Sequence, residues 1–301
     1  MIAAYYSLAT DPSGTRERQW ARSVASLRRY NRDVSVVLCL YGGARTEVIE
    51  TASRSGVEII PMGEFAEALG DIPPHWRAAL ATFPTLHKLL SLRGLLAAQS
   101  LTRLIYLDCD TYFFGDVAGL AARYGSCDWY AREEPGSGRS YHGYDPGYLD
   151  EQALAGLARS LGLVQVPPYN TGVVVLGAGL ARILVTLLDD FIWYAWRLLV
   201  GMCLWNPGLM AGDAVTHLVR DQCGPGDRRL ALPYPSSNPW IIEEIATWLT
   251  LGRVPGMSHA LLRRDDVAQS NEYAAGPDGL IVAHYFTSAQ DQFFAYLDGR
   301  I

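Results

Sequence analysis

A chain of 301 residues, half of them hydrophobic, can bury a large core and is too apolar to be disordered. Its formal charge of −6 argues against a general nucleic-acid binder, which carries a basic footprint. The five cysteines (39, 109, 127, 203 and 223) lack metal-ligand spacing and read as thiols of a reducing compartment; with no basic, apolar leader at the start, the expected location is cytoplasmic.

Ile2 to Leu8 is predicted as a strand, followed by the loop Ala9 to Gly14. A helix over Thr15 to Tyr30 then places Trp20, Val24 and Leu27 on one face. A second strand, Val34 to Tyr41, closes at Gly42-Gly43. A helix over Thr46 to Ser55 and a third strand over Val57 to Ile60 follow. This β-α-β-α-β alternation implies an α/β fold with a mainly parallel, mixed sheet flanked by helices. Ligands in such folds bind beyond the carboxyl ends of the strands.

Pro84 to Gln99 is predicted as a helix with a broad leucine face. It carries Lys88, the single lysine beside 24 arginines. Lys88 is either a chance survivor of an arginine-biased composition or the mark of a site wanting a compact ammonium. Leu104 to Leu107 is the next strand, and Asp108 and Asp110 follow it directly. In extended chain, residues two apart point to one side. Two hard oxygen ligands there suit Mg²⁺ or Mn²⁺, whose shells substrate phosphates complete. Asp-x-Asp is also an ordinary turn sequence, so both readings stand at this point. Asp116 is a good helix N-cap.

Asp128 to Arg132 is a further strand. Residues 133–147, rich in glycine and aromatics, fit either a mobile lid or an inert surface loop. Val173 to Leu176 is a strand, and a long helical region runs to Trp205. Its apolar part, Phe191 to Trp205, is shorter than the roughly 20 residues a bilayer needs and contains Arg197. It reads as a buried core helix, the alternative being a greasy surface that meets lipid or an apolar acceptor. Asp213 to Val219 is a helix, Pro225 to Gly279 resists assignment, Ile281 to Phe286 is a strand and Ala289 to Leu297 a terminal helix. Without repeats or linkers, one domain is expected over 1–301, with a nucleotide-binding half to about 115 and an acceptor-side half beyond it.

Six short segments, in order, carry a resemblance: Leu8-Ala-Thr-Asp11, Thr85-Leu-His-Lys-Leu-Leu90, Leu107-Asp-Cys-Asp-Thr111, Tyr169-Asn-Thr-Gly-Val-Val-Val175, Ala211-Gly-Asp-Ala214 and Val282-Ala-His-Tyr-Phe286. Together they resemble glycosyltransferases of the GT-A fold, most closely the retaining family typified by glycogenin and bacterial galactosyltransferases. The resemblance implies a nucleotide diphosphate sugar as donor, UDP being the expected nucleotide. Leu8, Thr10 and Asp11 would hold the base, and Asp108, Asp110 and His284 the metal. Lys88 would approach the diphosphate, with Asn170, Gly172 and Asp213 at the donor sugar. A neutral imidazole beside two carboxylates favours Mn²⁺ over Mg²⁺.

Two departures from the family stand out. Its Gly-x-x-Lys diphosphate clamp is absent after His284, where the run is Tyr285-Phe-Thr-Ser-Ala-Gln-Asp-Gln292, leaving only Thr287 or Ser288 as neutral donors. Ala214 replaces the glutamine after Asp213. With retention no enzymic base is required; inversion would need a carboxylate, for which Asp213 or Asp145 are candidates. A nucleotidyltransferase of related fold would show a glycine-rich basic loop after the first strand, and Ala9 to Gly14 is not one. A nucleotide-sugar-binding protein that has lost catalysis would be consistent with the missing lysine. The acceptor, whether small molecule, glycan or lipid-linked, is expected against the aromatics of Tyr141 to Tyr148 and Tyr234 to Trp248.

Overall fold

Alternation along the first strand sorts two cores. Ala3 and Tyr5 belong to one hydrophobic cluster, Ala4, Tyr6 and Leu8 to another, as a period of two on a sheet requires. A computed structural model of the chain describes residues 2–98, 101–134, 148–206, 224–269, 272–275, 279–286 and 290–299. Its strands are β1 (Ile2–Ala9), β2 (Ser35–Tyr41), β3 (Glu58–Pro61), β4 (Arg103–Leu107), β5 (Thr111–Phe113), β6 (Trp129–Glu133), β7 (Tyr169–Gly177), β8 (His259–Leu261), β9 (Val267–Gln269) and β10 (Val282–His284).

Seven of these form one sheet in the order β3-β2-β1-β4-β7-β6-β8. Every neighbouring pair runs parallel except those of β7, which is antiparallel to both β4 and β6. The predicted mixed, mainly parallel α/β sheet is therefore observed. Helices Thr15–Tyr30 and Thr46–Arg54 cover one face through Trp20, Val24, Leu27 and Val48. Helix His87–Ala98 covers the other through Leu89, Leu92 and Leu95. Chain order reverses direction between β1 and β4, the crevice where such sheets bind ligands.

Three details position the site. A small second sheet, β5-β10-β9, pairs His284 with Thr111 in antiparallel register. Second, the β6–β7 register jumps from Ala131↔Val174 to Arg132↔Asn170. This bulge carries Thr171 and Gly172 out of regular pairing, as bulges beside functional sites do. Third, helix Ile242–Leu251 is buried along its whole length and lays its first turn, with Glu243 and Glu244, beneath β7.

The differences from the predicted elements have local causes. Pro84–Leu86 forms a 3₁₀ turn before the helix proper begins at His87. The long helical region breaks at Leu187 into Ala178–Thr186 and Leu188–Trp205. Phe191, Leu198, Leu199 and Met202 are buried in the core, as expected, while Trp205 is half exposed. Among the described residues no helix is long and apolar enough to cross a membrane. The helix expected over Asp213 to Val219 and most of the loop over 133–147 lie outside the described residues.

Candidate metal centre

β4 ends at Leu107, and Asp108 and Asp110 sit in a tight turn, not in the extended chain expected from their spacing. Thr111 Oγ1 donates to the Asp108 carbonyl at 2.8 Å and closes the turn. The backbone N–H of Asp108 is held by the Gly172 carbonyl at 2.8 Å, and Tyr285 N–H donates to the Asp110 carbonyl at 3.1 Å. The two acids are thus anchored between β7 and β10. His284 Nε2 lies 3.2 Å from Asp110 Oδ1 and 3.6 Å from Asp108 Oδ2. One ligand atom from each of the three residues falls within 4.8 Å of the others.

The histidine is oriented from behind. Asn170 Nδ2 donates to Glu134 Oε2 at 3.1 Å and Glu244 Oε1 at 3.3 Å, which fixes the amide with its oxygen turned inward. That oxygen accepts from Gly172 N–H at 3.0 Å and faces His284 Nδ1 at 3.1 Å. Nδ1 is therefore the donor to Asn170, and Nε2 is the nitrogen turned to the acids, the orientation found for metal-bound histidines. Gly172 leaves room for the ring: a Cβ there would fall 2.0 Å from His284 Cε1. Phe286 adopts a left-handed φ of 54°, rare for a bulky residue, and its ring packs edge-on against the imidazole at 4.3 Å.

Lys88 lies beneath the acids. Its ammonium is 3.0 Å from Asp108 Oδ2, 3.1 Å from Thr171 Oγ1 and 3.4 Å from Glu243 Oε2. Burial alone would depress its pKa, but Asp108, Glu243 and Glu244 outweigh that and hold it above its ordinary range. Tyr106 OH gives Asp108 a further bond at 2.5 Å. Glu244 is pushed well above the usual carboxyl range by burial, then by Glu134 and Glu243, with Lys88 opposing. Glu243 is raised for the same first reason. These two acids were not among the sequence candidates, although paired charges inside the apolar run Trp240 to Leu251 could have flagged them.

One cavity opens on this centre, and a second adjoins the first at Arg16. The first, of about 130 Å³, is lined by Ser7, Arg16, Thr85, His87, Lys88 and the turn 108–110. The other, about 410 Å³, is lined by Thr10, Asp11, Arg16, Tyr41, Phe65 and Trp240. Of the expected base-binding residues, Thr10 and Asp11 line the larger cavity. The Leu8 side chain is buried in the core and can offer only its main chain. Burial would raise Asp11, but hydrogen bonds from Ser13 and Thr15 hold its carboxyl below the usual range and brace the loop. His87 stacks on Tyr41 at 5.6 Å. Burial, then Arg16 and Lys88, push its pKa far down, so it is neutral at pH 7. Asp213, Asp145, Thr287 and Ser288 lie outside the described residues.

No family model matches the sequence, and no curated protein matches it. Solved structures do. The galactosyltransferase LgtC, in complex with donor and acceptor sugar analogues, is 12% identical over 100% of this chain and 96% of its own, with a TM-score of 0.51. An active-site mutant of LgtC gives 13% identity over 95% of this chain and 87% of its own, at a TM-score of 0.52. The bifunctional glycosyltransferase WbbM matches 94% of this chain at 9% identity and a TM-score of 0.51, this chain spanning 45% of that one. At such identities the likeness is one of architecture: the chain has a GT-A-like α/β fold, with an Asp-Asp-His cluster at the carboxyl ends of its strands.

Proposed function

We propose that the protein is a metal-dependent glycosyltransferase that moves a sugar from a nucleoside diphosphate sugar, UDP being the favoured nucleotide, to an acceptor hydroxyl with retention. The observation that carries this reading is the convergence of Asp108, Asp110 and His284 within 4.8 Å at the switch point of a GT-A-like sheet. These three residues would hold a divalent cation. The carboxylate–imidazole set and the tautomer fixed by Asn170 suit Mn²⁺ better than Mg²⁺. When bound, such an ion neutralises charge on the departing diphosphate.

The chain's own residues supply the rest. Lys88 locks Asp108 in place from below, and Asn170 with Gly172 fixes the imidazole. The larger cavity, with Tyr41 and Phe65 in its wall and Thr10 and Asp11 at its rim, suits a nucleoside. Asp213 keeps the role at the donor sugar that its motif suggests. The acceptor is a small molecule, glycan or lipid-linked sugar, and free cysteines at 39, 109, 127 and 203 fit a reducing, cytoplasmic setting. The test is a panel of nucleotide sugars assayed for hydrolysis with Mn²⁺. Turnover of one donor that vanishes with chelator and in Asp108→Asn supports the reading; no turnover of any donor, with or without metal, overturns it.

A further inference from the structure

Among the described residues, the cations near the centre divide into those already paired and one that is not. Lys88 is committed to Asp108 and Glu243. Arg18 donates to the Ser13 carbonyl at 3.0 Å and to Thr15 Oγ1 at 3.0 Å. Arg45 pairs with Glu17 and caps the carbonyls of Asp11 and Pro12. Arg16 lines both cavities, yet among the described residues its guanidinium makes no ion pair and no side-chain hydrogen bond.

Helix stability does not explain this residue. Arg16 stands in the first turn of Thr15–Tyr30, where the helix dipole disfavours a cation and Glu17 is the favourable neighbour. Arg16 is the residue that the linings of the two cavities share, so it stands at their junction. A divalent ion and the two aspartates cancel in charge, and Lys88 is spent on its own acids. A diphosphate lying across that junction therefore meets Arg16 as its free counter-charge among the described residues. A guanidinium is suited to the task, since its planar fork grips phosphate oxygens in pairs.

We propose that Arg16 is the diphosphate clamp of this chain, a cation from the first helix in place of the lysine that its sequence lacks after His284. This rests on the donor-binding reading above, and the experiment separates the two. Mn²⁺ alone is titrated by electron paramagnetic resonance, and UDP, GDP and ADP are titrated by calorimetry in saturating Mn²⁺, for wild type, Arg16→Gln, Arg16→Lys and Arg29→Gln. Arg29 is an exposed arginine in the last turn of the same helix and serves as the charge control.

The expected result is specific to charge. Arg16→Gln binds Mn²⁺ as tightly as wild type or more so, while its affinity for the bound nucleotide falls about tenfold or more. Arg16→Lys recovers part of that loss, and Arg29→Gln behaves as wild type. If wild type binds a nucleoside diphosphate and Arg16→Gln binds it equally well, the clamp assignment fails and the transferase reading stands. Parallel loss of Mn²⁺ and nucleotide in Arg16→Gln makes the residue structural and also overturns the clamp. If wild type binds no nucleoside diphosphate at all, it is the transferase reading that falls, and the clamp with it.

Discussion

Replacing Gly172 by alanine perturbs the metal centre through a single methyl group. The added Cβ would lie 2.0 Å from His284 Cε1, 2.2 Å from Nδ1 and 2.7 Å from Nε2. Carbon atoms normally approach no closer than about 3.5 Å, so the ring must retreat by roughly 1.5 Å. The strand cannot give way instead. Gly172 N–H is bound to Asn170 at 3.0 Å, and its carbonyl holds the N–H of Asp108 at 2.8 Å. Nor is the ring free, with Phe286 packed against it and Asn170 bonded to Nδ1. Overpacking of this kind costs about 1–3 kcal/mol of stability. Loss of the Asn170 bond adds a drop in metal affinity of about 10–100-fold, the usual effect of removing an outer partner. Chemical denaturation without metal reads the first quantity and Mn²⁺ titration by electron paramagnetic resonance the second. A Gly172→Ala protein with wild-type stability and wild-type Mn²⁺ affinity would refute the reasoning.

Three further outcomes follow from the same geometry. Lys88→Met leaves the buried Glu243 and the partly buried Asp108 without their counter-ion and should destabilise the fold by about 3 kcal/mol in urea denaturation. Asn170→Ala frees the imidazole and should weaken Mn²⁺ binding about 10–100-fold with the three ligands intact. Glu244 has a folded pKa raised above its unfolded value, so the native state holds the extra proton. Its contribution is fully present below the unfolded carboxyl range and is lost as pH rises through the folded value. The difference in stability between wild type and Glu244→Gln should therefore shift against wild type from acidic to neutral pH, as read from denaturation curves of both proteins across the range.

What could be seen in the sequence was what repeats. The helix Thr15–Tyr30 has the predicted bounds because its apolar face recurs at helical spacing and Asn31 ends it. The first three strands were visible as apolar runs punctuated by glycine and proline, their ends shifting by a residue or two. Helix Ile242–Leu251 was not visible: every residue in it is buried, so it shows no polar face and no stripe. With it went Glu243 and Glu244. β5 and β9 are three residues long, too short for any period, whereas β10 lies inside the strand expected over Ile281 to Phe286. The roles of Asn170 and Gly172 behind the imidazole depend on the β6–β7 bulge and on β10 lying beside the turn at Asp110. Neither contact, each between segments distant along the chain, leaves a mark in local composition.

Whether a nucleoside diphosphate binds through a metal held by these residues decides the account. The direct measurement is calorimetric titration of UDP into wild type and Asp110→Asn, each with Mn²⁺ and with chelator. The account predicts binding by wild type with Mn²⁺ that is abolished by chelator and by Asp110→Asn. Binding by Asp110→Asn as tight as that of wild type, or tight UDP binding that ignores Mn²⁺, would contradict it.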